Sequence, residues 1–420
     1  MEIKVNNEIR IESKVPYCMV EYFSLKWEPN CHAQFNIIGY IESETICNMQ
    51  MLYDSKILVL KEKEGKLQTI FYGIVSYAEQ ETTGKIKKIS LEAKSGTCIL
   101  DQKLMERSYQ SVDKSYAEIA REAVKISGGK IICIEGNNKI IGKPFIQYQE
   151  TAWEFCKRLA SHLGTCIVAD IFSGEPILWF GMNNEGNTIN FSENEYNVIA
   201  ERIDTNNIEC TYETKSREVF RIGDKVLLDG QQLIICSVSA VFAYGELMFR
   251  YRMKYKEKSQ IYYLKQFTGL GLAGIVNKVQ GEQVNIALDI DGGASTGDYL
   301  YNWYPETGNA MYAMPEVGTR VMLCFAGRDE QEGFALHCIN TRMNTNNYKE
   351  RDIQTLEGNV IDLCSRSLDL LERKNSVTLW AGNVSTNSSR NVHISAKRNI
   401  HMQAGMMIIQ SPEEINFCQG

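Results

Sequence analysis

Residues 390–405 read RNVHISAKRNIHMQAG and repeat themselves: Arg390-Asn391-Val392-His393-Ile394 is matched eight residues later by Arg398-Asn399-Ile400-His401-Met402. Laid out by eight from residue 376, the tail runs SVTLWAGN, VSTNSSRN, VHISAKRN, IHMQAGMM, IIQSPEEI. Asparagine recurs at 383, 391 and 399. Apolar residues recur at 384, 392, 400 and 408, and two places further on at Ile394 and Met402. With slips of one residue the pattern reaches back through Leu368 and Leu370 to Ile361 and Leu363. An apolar-polar-apolar run makes one short strand facing a core, and the Asn and small residues supply the bend after it.

One strand and one corner are too little chain to encircle a packed interior. A lone chain with this period cannot enclose its own apolar stripe, so several chains must each supply one side of a common turn. The expected form is an oligomeric β-prism or intertwined β-helix, closed without exposed edges and stiff along its axis. Its core residues would be Val384, Val392, Ile394, Ile400, Met402 and Ile408, with His393, Ser395, His401 and Gln403 facing out. Gly and Pro are sparse there (Gly382, Gly405, Pro412), as regular rungs require. The other reading of the same stretch is a pair of ordinary hairpins whose spacing repeats by accident.

The rest of the chain is ordinary globular material, with 420 residues that are 44% hydrophobic and 23% charged, enough for several domains. A net charge of -7 argues against general affinity for phosphate backbones or anionic membranes. The N-terminal MEIKVNNEIRIESKV lacks the basic and apolar blocks of a signal peptide, so synthesis and assembly in the cytoplasm are expected. No apolar run is long enough to span a bilayer as a helix. Thirteen scattered cysteines, none in a CxxC pair, read as small hydrophobes in strand-like runs such as LIICSV and VMLCFAG.

Residues 1–110 alternate like strands, as in HAQFNIIGYIES and QTIFYGIVSYAEQ. Two capping boxes follow. Ser115 with Glu118 opens a helix that should stop at Gly128-Gly129, and Thr151 with Glu154 opens a second that should end at Gly164. In the second helix Ala152, Phe155, Cys156, Leu159 and Leu163 share one face. Strands resume in 207–256, a short connector covers 261–274, a compact β unit occupies 275 to about 340, and a polar stretch precedes the tail.

These pieces, in this order, resemble the VgrG-type spike proteins of type VI secretion systems and the hub-and-spike proteins of contractile phage tails and tail-like particles. The likeness covers nearly the whole chain. FYGIVS and SGTCILDQKLMERSYQ suggest the first hub barrel. IQYQETAWEFCKRLASHLG is the most specific match, with an aromatic, a Glu, a capped helix and an Arg-Leu. YAMPEVGTRVMLCFAG after Trp303-Tyr304 looks like the family's OB-fold. The resemblance implies a mainly β fold with a few helices: two hub β-barrel domains with helical insertions, an OB-fold and a C-terminal intertwined trimeric β-helix needle. The expected division is a first barrel at 1–110, a helix-containing hub region at 111–206 and a second barrel at 207–260. A connector at 261–274, an OB-fold neck at 275–343, a linker at 344–356 and the spike at 357–420 follow. It further implies a homotrimer that seats on a hexameric, Hcp-like tail-tube protein, contacts baseplate proteins, carries effectors with or without a PAAR-like tip protein, and pierces a target envelope. No cofactor, metal, catalytic residue or nucleic acid is expected.

Several motifs compete with that reading. GLGLAG at 269–274 spells GxGxxG, but a short apolar connector precedes it and the strand-like IVNKVQ follows, so a hinge is expected rather than a nucleotide site. DIDGGASTGD at 289–298 has the look of a calcium loop, yet Ala294 and Leu300 stand where Gly and Glu belong, so an exposed loop is expected. Of five histidines only His393 and His401 have meaningful spacing, and no His-x-His metal pair is present. A wall-hydrolase domain has no room between neck and needle, which makes Glu350 and Asp352 solvated linker charges. A nucleic-acid-binding OB-fold would want a basic groove, and 274–340 carries more acidic than basic residues.

Overall fold

Alternation of apolar and polar residues lays down hairpin after hairpin in the computed structural model, which describes residues 2–183, 188–191, 195–202, 208–256, 259–305, 313–339, 351–355 and 357–416. The first strands are β1 (Glu2–Lys4), β2 (Ile9–Glu12), β3 (Tyr17–Trp27), β4 (Gln34–Ile41), β5 (Lys56–Lys63), β6 (Lys66–Thr83) and β7 (Ile86–Ser95). In β3, Phe23, Leu25 and Trp27 are buried while Ser24 and Lys26 between them are not, the period of two that a half-buried strand requires. A helical excursion follows: β8 (Met105–Tyr109), α1 (Tyr116–Ile126), β9 (Lys130–Cys133), β10 (Phe145–Glu150), α2 (Ala152–His162), β11 (Ile167–Ala169) and β12 (Ile177–Phe180). Both capping boxes form, Ser115 with Glu118 and Thr151 with Glu154. Gly128 and Gly164 take φ of +78° and +71° just past the helix ends, where a side chain would be strained.

The chain then returns to strands: β13 (Thr188–Asn190), β14 (Tyr196–Arg202), β15 (Ile208–Ser216), β16 (Lys225–Leu228), β17 (Gln231–Ala243) and β18 (Glu246–Lys254). The two strand blocks have the same plan. The first runs β5-β6-β7-β4-β3 across the sheet and the second β16-β17-β18-β15-β14. Each long central strand makes a two-residue turn into its neighbour, with Thr83 opposite Ile86 and Ala243 opposite Glu246. Against that neighbour each has a bulge at the matching place, at Ser76 and at Cys236. The repeat is fused into one 13-stranded sheet because β3 pairs with β17, Phe23 opposite Phe242 and Trp27 opposite Val238. A single core, including Phe23, Phe35, Phe71, Phe242, Phe249 and Tyr251, runs under both blocks. The division expected from sequence separates them and assigns residues up to 206 to the helical region; in the structure Tyr196–Arg202 pairs with β15 in the second block.

Next come β19 (Gly271–Gln280), β20 (Gln283–Leu288), β21 (Tyr301–Asn302), β22 (Arg320–Cys324) and β23 (Phe334–Cys338), ordered β21-β20-β19-β22-β23 around a core that includes Phe267, Val276, Ile286, Tyr301, Leu323 and Phe325. The glycine-rich run was expected to be a hinge, but its second half is the start of β19. A Cβ on Gly274 would stand 2.6 Å from the Ala287 carbonyl oxygen, so this glycine permits close approach of β20.

Residues 2–339 belong to one compact unit and those from 340 onward to a second. The second unit is an antiparallel meander of β24 (Arg351–Gln354), β25 (Asn359–Leu363), β26 (Ser367–Glu372), β27 (Asn375–Trp380) and β28 (Asn383–Asn387). The spike pattern reaches back to Ile361 by sequence, yet residues 359–387 here pair within the chain. Arg373 and Gly382, at φ of +51° and +78°, close tight turns between these strands. From 388 to 416 no strand is formed. Of the expected linker at 344–356, residues 344–350 and 356 lie outside the described residues.

Candidate functional site and assembly face

Helix α2 is buried on nearly every side, so each of its polar groups needs a protein partner. At its start Thr151 Oγ1 accepts from the Glu154 amide and donates to Asp101 Oδ1. Asp101 Oδ2 lies 3.3 Å from His32 Nε2, and His32 Nδ1 lies 2.8 Å from Thr97 Oγ1, which in turn is 2.8 Å from Ser95 Oγ. Asp, His and Thr in a row have the outline of a nucleophilic triad. Thr97 is nonetheless fully buried, and the Trp153 ring packs on His32 at 4.0 Å, so a substrate carbonyl has no approach to the hydroxyl. The row ties the barrel to the helix. The His32 hydrogen bond holds the Asp101 carboxyl below its ordinary range; partial burial opposes this and Thr151 adds to it.

One turn further on, Arg158 is 2% exposed, with Glu150 at 3% and Glu330 at 0%. Its Nε donates to Glu150 Oε1 at 2.9 Å, and its Nη2 donates to Glu150 Oε2 at 2.7 Å and to the Ile146 carbonyl at 2.9 Å. Its Nη1 donates to Glu330. Burial works against the charged guanidinium, but Glu330 and Glu150 together raise its affinity for its proton. Burial also pushes the Glu150 carboxyl up, with Arg158 pulling the other way, as expected where two carboxylates share one cation. Glu330 Oε2 is buried without a hydrogen-bond partner among the described residues. Glu150 ends β10, Arg158 lies in α2, and Glu330 opens a turn between β22 and β23, so the trio joins the helical excursion to the five-stranded unit. The motif that singled out Glu150 and Arg158 did not reveal Glu330, which sits among Asp329 and Glu332 with nothing in the local pattern to distinguish it.

A second joint uses the loop expected to be merely exposed. Asp291 accepts from the Ser108 amide at 2.8 Å and from its hydroxyl at 2.6 Å. Among the described residues no cluster of His, Cys, Asp or Glu is spaced to hold a metal. Trp303 is core, its Nε1 donating to the Ala313 carbonyl, so it offers no stacking platform. Asp352 is exposed on β24, and Glu350 lies outside the described residues.

In the second unit cross-strand register sorts the side chains. Ile353, Ile361, Leu370, Val377 and Thr386 stand opposite one another across the five strands, and Leu363, Leu368, Leu379 and Val384 form a parallel row on the same face. The other face carries Asp352, Asp362, Asp369, Thr378 and Ser385. Val392 lines the groove on the first face with Ile353, Ile361, Leu370 and Val377. The six residues expected in the needle core, Val384, Val392, Ile394, Ile400, Met402 and Ile408, are between 49% and 71% exposed on the single chain. His393 and His401 are exposed as well.

No family model and no curated protein matches the sequence. Solved structures do. A chain from E. coli, described as the c3393 protein, a type VI secretion component similar in structure to the T4 bacteriophage tail proteins gp27 and gp5, aligns with a TM-score of 0.55 at 11% identity, covering 78% of this chain and 98% of its own. A chain of the Francisella PdpA-VgrG complex in its half-lidded form aligns with a TM-score of 0.56 at 11% identity, covering 88% and 84%. The lidless PdpA-VgrG complex gives 0.55 at 10% identity, covering 88% and 94%. At such identities the likeness establishes the fold, which is VgrG-like.

Two outcomes follow for the helix joints. Arg158→Met is expected to cost about 3–5 kcal/mol, because it strands two buried carboxylates. Glu330→Gln should cost less, since Arg158 keeps both oxygens of Glu150; urea melts that rank them the other way would contradict the clamp. At Asp101 the folded-state pKa lies below the unfolded one, so its contribution is present above the ordinary carboxylate range and fades as pH falls through the depressed value. His32→Ala should therefore raise the Asp101 titration midpoint seen by carboxyl NMR and move acid unfolding to higher pH. An unmoved midpoint would show that His32 is not the cause.

Proposed function

We propose that the chain is a structural, non-enzymatic spike and baseplate hub of a contractile injection system, whether a secretion system, a phage tail or a tail-like particle. Three copies form it. The hub caps a hexameric, Hcp-like tail tube and contacts baseplate proteins; the five-stranded unit is an OB-fold neck, and the tail is a needle that punctures the target envelope and delivers effectors. The protein is assembled in the cytoplasm and leaves the cell with the particle on contraction. A separate PAAR-like tip could seat on the needle, and neither metal nor nucleic acid has a role. The neighbours named above, a type VI secretion component and a VgrG bound to PdpA, support this reading.

The observation that carries it is the unpartnered apolar stripe. The first unit buries most of its large aliphatics in continuous cores, whereas the tail exposes Val392, Ile394, Ile400 and Met402, and Val392 lines the groove on the apolar face of the meander. A contiguous exposed stripe of this kind marks an interface. Alternation assigns the apolar set to the axis and the His, Ser and Gln set to water.

Light scattering of the purified protein is expected to give about three times the 47.8 kDa chain mass. Ile400→Asp would place three carboxylates in a dry core at a cost of several kcal/mol for each charge, while His401→Asp should change little. Thermal melts in which both substitutions do equal damage, or His401→Asp does more, would place the apolar set elsewhere.

A further inference from the structure

In the helical excursion, β8 and β10 form a ribbon of two strands, and the outer edge of β8 pairs with no strand among the described residues. The register fixes which groups that edge presents. Ser108 stands opposite Ile146. The Ser108 amide donates to Asp291 and the Ile146 carbonyl accepts from Arg158, so these two residues turn their backbone polar groups away from each other. In an antiparallel ladder every second pair does this. Glu106, opposite Tyr148 and two residues before Ser108, therefore also turns its N–H and C=O away from β10. Unlike the Ser108 amide, these groups have no hydrogen-bond partner among the described residues, and Glu106 is exposed.

This edge lines an open groove of about 750 Å³, to which α1 adds Glu122 and Ile126 and the loop after β20 adds Ala294 and Ser295. A space of that size holds a short peptide. The loop closes one end of it. Asp291 holds Ser108, Ser111 Oγ donates to the Thr296 carbonyl at 3.0 Å, and a Cβ on Gly297 would stand 2.1 Å from the Ser111 nitrogen. The open stretch of edge is Met105–Arg107.

Two side chains in the groove lack partners. Arg107, whose guanidinium lies 5.7 Å from the centre of the Tyr109 ring, forms no ion pair among the described residues, whereas Lys114 is taken by Glu122 at 2.6 Å. Tyr109 is 3% exposed, and its hydroxyl has no partner among the described residues, although a buried phenol normally finds one. Burial raises the pKa of this hydroxyl, which keeps its proton available to donate. The acidic groups nearby do not answer Arg107: Glu122 is paired, Asp291 is held by Ser108, and Glu106 projects from the opposite face of the strand.

We propose that the groove docks an extended segment of another protein, which adds as a strand beside Glu106 and places an acidic side chain at Arg107. An added strand brings both a carbonyl and an amide to the edge, the exchange on which strand addition depends. Its carboxylate answers the unpaired guanidinium, and the segment supplies an acceptor for the Tyr109 hydroxyl. The groove is complete within one chain, so the dock depends neither on the trimer nor on the needle.

Anisotropy of a fluorescein-labelled peptide, Ser-Val-Asp-Val-Ser, titrated with the full chain tests this. Binding is expected, and Arg107→Glu should reverse the preference toward Ser-Val-Lys-Val-Ser, which loss of fold would not do. Glu106→Pro removes the edge amide at a position where an edge strand tolerates proline, and should weaken the acidic peptide about tenfold. N-methylation of the peptide amides one at a time should abolish binding at alternate positions only, because every second amide faces the edge. No binding of either peptide at millimolar concentration, or methylation effects without alternation, overturns the strand dock. Equal binding of the Asp and Lys peptides overturns the role of Arg107. A lower copy number by light scattering in both Arg107→Glu and Glu106→Pro would put a second copy of the chain in the groove and overturn the foreign partner.

Discussion

A guanidinium sealed from water and shared by two carboxylates sets the terms for the first unit. Arg158 can be buried only if Glu150 and Glu330 reach it, and they come from a strand end before α2 and from a turn far along the chain in the five-stranded unit. Burying such a trio is not in itself stabilising relative to a well-packed apolar cluster. Its effect is specificity, because any arrangement that misplaces one member leaves an uncompensated charge in a dry core. The capped start of α2, fixed by Thr151, Asp101 and His32, brings Arg158 to the right depth. The barrel, the helical excursion and the small unit are thereby held to one geometry.

The fused sheet applies the same economy of parts on a larger scale. One topology is used twice, and the joint between its two uses is a strand pairing rather than a loop packed on a surface. A sheet built that way has ends, and ends with exposed tyrosine, valine and isoleucine are unfinished business for an isolated chain. In the proposed trimer, the exposed strand edges of the first unit and the apolar stripe of the tail would both be covered by other copies of the chain.

What could be read from sequence follows from how local each signal is. Capping boxes are complete within four residues, so both helices and their glycine ends were legible. Glu150 and Arg158 were flagged by a motif whose physical reason, a bidentate pair inside a buried helix joint, only the structure supplies. Glu330 was not legible, because its role depends on a partner 172 residues away. The seam between β3 and β17 was hidden for the same reason, and the duplication itself survives in strand order, turn and bulge positions rather than in residue identities: FSLKW in one half is matched by YNVIA in the other. The meander was left open between rungs and hairpins by the sequence, because its turns at Arg373 and Gly382 interrupt an apolar pattern that reads equally well as rungs.

The account stands or falls on whether residues 388–416 find their backbone partners in other chains. Within one chain this segment forms no strand and, among the described residues, makes no backbone-to-backbone hydrogen bond. Amide hydrogen exchange, read peptide by peptide on the assembled protein, addresses this directly. The account predicts that amides around Val392, Ile394, Ile400 and Met402 exchange as slowly as those of the buried strand β17. Exchange at the rate of an unstructured chain, in particles that remain associated, would contradict it.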